Sequence, residues 1–231
     1  AGSGHAITGA EALVRWRHEQ HGLLTPDQFV PLAEESGLIH RLGRLVLTRA
    51  CTAASNWGNS DFIAVNVSPS QLRRSEFVDE VLEVLRATNL EAGRLELEVT
   101  ETALISGDET VVNDALRRLR SHGVKIALDD FGTGYSSLSH LVQFGIDRIK
   151  IDRSFVGLLG TRSDGAAIVS AVVALSHSLG LATTAEGVET TWQRDFLVAA
   201  GCSDLQGYLF SRPSPTPETS QGPRVLAGEA I

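Results

Sequence analysis

Acidic and amide side chains recur where short apolar runs end. Glu11 lies in ITGAEAL, Asn66 closes FIAVNV, and Glu98 and Glu101 close LELEVTE. Asp129 and Asp130 end VKIALDD, Lys150 and Asp152 lie in RIKID, Glu186 follows ATTA, and Gln206 sits in DLQGYLF. One such residue means little. A series of them, each one β/α unit from the next, puts strand ends on one face of a barrel, where (β/α)8 barrels carry their chemistry. Hard oxygen ligands and a lysine on that face suit a divalent cation and a phosphate ester.

Each residue also has an ordinary reading. Neighbours on a strand point to opposite faces, so Asp129 and Asp130 can share one site only where the strand gives way to a loop. Two like charges that close repel unless a cation lies between them. Taken alone, the pair is explained as well by one carboxylate capping the turn and the other in a salt bridge. Beside Glu11, Asn66 and Glu98 the metal reading gains weight, because neutral Asn is also an oxygen ligand for Mg2+ or Mn2+. Lys150 and Asp152, at i and i+2, share a strand face. Near a metal, Lys150 could orient water or stabilise developing charge, or it could pair with Asp152 or Glu186. Glu186 and Glu189 flank Gly187-Val188. One could complete a metal site, and the other could read a base edge or cap a helix.

Other signals point away from chemistry. Asp130-Phe131-Gly132 looks like a kinase metal motif, but no His-Arg-Asp loop or Gly-Lys-Ser/Thr follows. A loop beside the site, with Ser136 capping the next helix, fits better. The seven histidines show no HxH or HExxH spacing, so zinc is not expected. Arg117, Arg118 and Arg120 read as a solvated helix face.

The elements that must position these groups alternate in kind. Thr25-Pro26-Asp27-Gln28 opens a helix with a capping box and proline at its first position. Leu42, Leu45 and Val46 begin the spacing of a second helix that ends near Trp57-Gly58. Phe77, Val81, Val84 and Leu85 have helical spacing, as do Val112, Leu116 and Leu119. The latter helix stops at His122-Gly123, with glycine just past its end. Ile168, Val172, Leu175 and Leu179 mark another. The strand-like runs between them, such as AVNV and KIAL, are apolar on both parities, as parallel strands buried on both faces are. About seven such strands predict an α/β (β/α)8 TIM-type barrel over an open sheet. Residues 1–213 are read as one domain, and 214–231, rich in Pro, Ser, Thr and Gly, as a tail or linker.

Composition narrows the partners. At 231 residues the chain suits one barrel, and 42% hydrophobic residues suffice for its core. A net charge of −8 argues against DNA or RNA polymers. A nucleotide substrate stays open, since bound cations offset clustered carboxylates. Cys51 and Cys202 have no metal-type spacing and read as reduced, buried thiols. No apolar run approaches the roughly 20 residues of a membrane-spanning helix, and no signal peptide is visible. A cytoplasmic domain is expected, from a parent that could itself be membrane-tethered. The chain contains no methionine, so it reads as a fragment of a larger protein.

In this setting EALVRW, NVSPSQL, ELEVTE, DDFGTGYSSL, IKID, AEGVE and QGYLFSRP follow one another between about Ile7 and Pro213. The series closely resembles the EAL domain, the bacterial phosphodiesterase that opens cyclic di-GMP. The resemblance implies a barrel, two Mg2+ or Mn2+ ions and linear pGpG as product. It implies Glu11, Asn66, Glu98 and Asp129 as ligands of a first metal, with Asp129 bridging to a second that Asp130 also binds. Lys150 resembles the lysine that holds the nucleophilic water. Glu186 and Gln206 resemble the groups that complete and support the centre, and Glu101 the glutamate that anchors the DFGTGYSS loop. Leu13 and Arg15 resemble a substrate-contacting pair, joined by Glu189 and Tyr208. Such a site would activate water between two ions about 4 Å apart and attack phosphorus in line.

The family's opening helix and strand, which ends in Tyr-Gln-Pro, precede the EAL strand and are missing here. That absence predicts an open barrel edge, covered by a homodimer contact or an exchanged segment, or left partly open. Sensor or GGDEF-type domains are expected in the full-length protein. Two other readings compete: a non-catalytic EAL module that binds cyclic di-GMP as a receptor, and an unrelated barrel metallohydrolase. The intact ligand series disfavours the first, because non-catalytic members typically lose such residues, and the second would leave Arg15, Glu189 and Tyr208 to chance.

Overall fold

The computed structural model describes residues 7–57, 61–105, 108–132, 141, 143–161, 163–215 and 227–230. Its framework is one parallel sheet. In chain order the strands are β1 (Gly9–Leu13), β2 (Trp16–His18), β3 (Gly22–Leu24), β4 (Phe62–Asn66), β5 (Leu95–Thr100), β6 (Lys125–Phe131), β7 (Arg148–Ile151), β8 (Ala182–Ala185), β9 (Asp204–Leu205) and β10 (Ala227–Ala230). Eight of them form the sheet, in the order β10-β1-β4-β5-β6-β7-β8-β9, and every neighbouring pair is parallel. β2 and β3 form a separate antiparallel hairpin, with Trp16 opposite Leu24. Among the described residues the expected barrel is therefore curled but not closed by backbone, for no ladder joins β9 to β10. Side chains tie the β9 end of the sheet to β1 instead. Thr8 Oγ1 donates to Asp204 Oδ1 at 2.8 Å, and Gln206 Nε2 donates to Glu11 Oε2 at 2.8 Å.

Strand period decides which side chains meet. On β5, Leu95, Leu97 and Val99 are fully buried, and they alternate with Glu96 and Glu98. The two sets take opposite faces of the strand. The apolar set packs with the helices Phe77–Thr88 and Glu109–Ser121, through Val78, Val81, Val112, Leu116 and Leu119. The polar set faces the barrel interior. A pattern that looks like a solvated strand in sequence thus builds a polar interior.

Local signals start the helices where expected. Gln28 Oε1 accepts from the Thr25 amide at 2.9 Å, and the helix runs Pro26–Glu35. The second runs Ile39–Ser55. Gly123, just past the helix Glu109–Ser121, takes φ +96°, a region glycine enters freely. The proposed cap at Ser136 lies outside the described residues. Part of the segment expected as a tail forms β10, with Ala10 opposite Ala227 and Leu13 opposite Ala230. The edge of β1 expected to stand open is thus paired within the same chain.

Candidate active site

Lys150 sits on β7 at the centre of the polar interior and is 2% exposed. Its Nζ lies 2.7 Å from Glu186 Oε1, 2.8 Å from Glu98 Oε1, 3.3 Å from Asp129 Oδ1 and 3.9 Å from Glu11 Oε2. These carboxylates come from the ends of β8, β5, β6 and β1. Asn66, at the end of β4, donates from Nδ2 to Glu11 Oε1 at 2.8 Å, while Gln206 takes the other Glu11 oxygen. Residues from seven strands thus converge.

The short elements after the strands aim these groups. Ser68 and Gln71 form a capping box that starts the helix Pro69–Leu72 two residues beyond Asn66. Asp130 takes φ +55°, left-handed and unusual for a residue with Cβ, and the β6–β7 register shifts between Leu128 and Phe131. This kink is how two successive carboxylates leave strand alternation. Asp129 enters the lysine cluster. The Asp130 carboxyl is raised by burial, with the nearby charges of Asp129 and Asp152 adding to the effect. Glu101, buried at the start of the helix Glu101–Ile105, accepts from the Gly132 amide at 3.0 Å. The rest of the expected loop, from Thr133 on, lies outside the described residues.

Two expectations need correction. Asp152 was expected to share Lys150's strand face, and a Lys150–Asp152 pair was one reading. The strand ends at Ile151, and Asp152 turns away to cap the helix Arg153–Leu158, accepting from the Ser154 amide at 2.9 Å. Glu189 was a candidate cap, but Thr190 caps the helix Thr191–Ala200. Gln193 Oε1 accepts from the Thr190 amide at 3.0 Å and the Glu189 amide at 2.9 Å. The Glu189 side chain is left to line the cavity.

That cavity holds about 320 Å³, within the range of small-molecule sites. Glu11, Asp129, Lys150, Glu186 and Gln206 line it together with Leu13, Arg15, Glu189 and Tyr208. Arg212 stacks over the Tyr208 ring at 4.5 Å. Arg153 also lines it, a residue the sequence reading passed over. Its signal was its place directly after the IKID strand end. Gly187 faces it: a Cβ there would meet Arg153 Cβ at 2.5 Å, and φ is +66°.

The electrostatics follow from four carboxylates around one ammonium in a buried place. Burial opposes the charge on Lys150, yet Glu11, Glu98, Glu186 and Asp129 together hold it well above its ordinary value. The surrounding carboxylates thus favour the charged form of Lys150. Burial pushes Glu98 well up, and the Glu11 charge adds to this against Lys150. Burial likewise pushes Glu186 up to about 7, opposed by Lys150. Burial also acts on Glu11, but Lys150 and the hydrogen bonds from Gln206 and Asn66 outweigh it and lower its value.

Among the described residues, no group of three or more His, Cys, Asp or Glu side chains is arranged to hold a metal ion. The carboxylates close on the ammonium instead. The donor set nonetheless fits a hard divalent cation. It is all oxygen, its negative charge exceeds what one lysine offsets, and buried Glu98 Oε2 and Gln206 Oε1 have no hydrogen-bond partner.

Comparison with known proteins agrees with this geometry. A profile of the EAL domain matches residues 3–213. The bifunctional diguanylate cyclase/cyclic di-GMP phosphodiesterase MucR of Pseudomonas aeruginosa is 49% identical over 214 residues, 90% of this chain and 31% of that protein. The cyclic di-GMP phosphodiesterase NbdA of the same organism is 46% identical over 210 residues, 89% of this chain and 27% of that one. The chain thus spans roughly a third or less of these relatives. The structure of the MucR phosphodiesterase in complex with c-di-GMP superposes with TM-score 0.83 at 48% identity, over 87% of this chain and 83% of that one.

Proposed function

The chain belongs to the EAL domain family, and from that premise we propose that it hydrolyses cyclic di-GMP to linear pGpG with the help of two divalent cations, Mg2+ or Mn2+. The observation that carries this reading is the buried Lys150 ammonium among Glu11, Glu98, Asp129 and Glu186 on the floor of a cavity flanked by arginines.

When bound, the cations would polarise the phosphodiester and lower the pKa of water. Glu11, Asn66, Glu98 and Asp129 would hold one ion, and Asp129 with Asp130 the other. The protein's own groups do the rest. Lys150, its charge favoured by the carboxylates around it, positions the attacking water oxygen and balances the charge that gathers on the phosphoryl oxygens. Glu186, whose carboxyl lies near 7 before any metal is bound, is suited to accept the water's proton. Gln206 and Asn66 fix both oxygens of Glu11 so that it does not swing. Arg15 and Arg153 provide two guanidiniums for the two phosphates of the dinucleotide, a geometry to which arginine is suited. Leu13 and Tyr208 offer apolar and aromatic surface to a base, and Glu189 an acceptor for a guanine edge. Glu101 holds the turn at Gly132.

Incubating the domain with cyclic di-GMP and Mg2+ or Mn2+, and separating the products by chromatography, tests the reading. A pGpG peak is expected. Binding without product would favour the receptor alternative. A cytoplasmic setting and fusion to GGDEF-type or sensor domains follow from the same reading, supported by the bifunctional name of MucR. No helix among the described residues is long and apolar enough to cross a membrane.

A further inference from the structure

Beneath the lysine cluster lies a second ionic layer. Four of the upper residues have a polar companion two positions earlier in the chain, and i and i+2 on a strand share a face. Glu98 stands above Glu96, Lys150 above Arg148, Glu186 above Thr184, and Gln206 above Asp204. The lower residues bond to one another as the upper ones do. Arg148 Nε donates to Glu96 Oε2 at 2.9 Å, and Arg148 Nη1 donates to Thr184 Oγ1 at 3.0 Å and to Asp204 Oδ2. Its guanidinium lies 5.0 Å from the centre of the Phe62 ring. Glu96 is 4% exposed, and the Arg148 side chain is 12% exposed.

The layer does what the backbone does not. β1 and β9 share no ladder, and β9 is only two residues long. Asp204 joins them: one oxygen accepts from Arg148 and the other from Thr8, the residue before β1. Two residues above Asp204, Gln206 grips Glu11. We propose that the Arg148–Asp204–Thr8 clasp is a positioning device for the site, setting β9 against β1 so that Gln206 holds Glu11 in place to bind metal. None of these three residues lines the cavity, so the clasp acts through Gln206 and not on substrate. This rests on the metal-dependent reading above.

Arg148→Met would strip two buried carboxylates of their cation and endanger folding, so Asp204→Ala, which keeps the Arg148–Glu96 pair, is the better probe. Mn2+ binding to the substrate-free protein is measured by calorimetry, and kcat and KM at saturating Mn2+, well below the melting midpoint. Outer residues that orient metal ligands typically matter about 10–100-fold. The expected result is Mn2+ binding weakened about tenfold and kcat lowered, with KM for cyclic di-GMP unchanged. Asp204→Asn keeps one oxygen to accept from Arg148 and can turn its Nδ2 to donate to the Thr8 hydroxyl oxygen, so it should restore part of the loss. Unchanged Mn2+ affinity and kcat in folded Asp204→Ala overturn the clasp. So does a loss that only follows the lower melting point and disappears on cooling. A wild-type protein that neither binds Mn2+ nor turns over would instead overturn the phosphodiesterase reading.

Discussion

At the scale of single residues, Lys150 and Glu11 should fail differently. Lys150 is a cation held by four carboxylates. Lys150→Ala removes charge that is needed in the transition state, and losses on the order of 100- to 1,000-fold in kcat are usual for such groups. Cyclic di-GMP binding should persist, as calorimetry would reveal. Glu11→Ala should abolish turnover together with metal binding, in a domain whose circular dichroism is unchanged. Equal metal affinity in the Glu11→Ala and wild-type proteins would remove Glu11 from the site. Glu186 gives a pH test. Its folded carboxyl lies near 7 against an ordinary 4.5, so the metal-free folded state holds this proton more tightly than the unfolded chain does. The stability it contributes is full below about 4.5 and is lost as pH rises through about 7. In chelator, the melting temperature of wild type relative to Glu186→Gln should fall across that window. A difference that stays flat with pH would contradict the shift.

At the scale of elements, the helix Glu101–Ile105 is tied to the end of β6 by the Glu101–Gly132 bond. Glu101→Ala should speed hydrogen exchange at Gly132 and lower activity by about 10–100-fold, the usual effect of a group that supports a site without touching it. Unchanged exchange and activity would reduce Glu101 to an ordinary buried carboxylate. Elements with local causes were legible in sequence. The capping box at Thr25, the glycine stop at Gly123 and the apolar strand runs each state their own structure. That Glu11, Asn66, Glu98, Asp129, Lys150, Glu186 and Gln206 would meet was legible, because successive strand ends of such a fold share one face. What escaped was set by distant contacts. Arg148, Glu96 and Asp204 look like scattered charges until the curl of the sheet brings side chains of β5, β7 and β9 within hydrogen-bonding reach. The hairpin of β2 and β3 lies in a charged stretch with little alternation. β10, in LAGEA, has weak strand preference of its own and pairs because the β1 edge accepts it. Asp130's left-handed turn cannot be read from a residue type that rarely adopts it.

At the scale of the whole molecule, β10 covers an edge that would otherwise expose backbone donors and acceptors. Deleting residues 226–231 should lower the melting temperature by about 2–4 °C for each kcal/mol of stability lost. It should also increase self-association in light scattering. A deletion variant that melts like the full chain and stays equally monomeric would show that β10 contributes nothing. The fold otherwise brings four carboxylates from separate strands around one lysine beside a single cavity. The most direct measurement is therefore turnover under control of metal. The purified domain is incubated with cyclic di-GMP in excess chelator, then with added Mn2+ or Mg2+, and pGpG is quantified by chromatography. Hydrolysis should be absent in chelator and restored by either ion. Full hydrolysis in excess chelator, or saturable cyclic di-GMP binding with no pGpG at saturating Mn2+, would contradict the assignment.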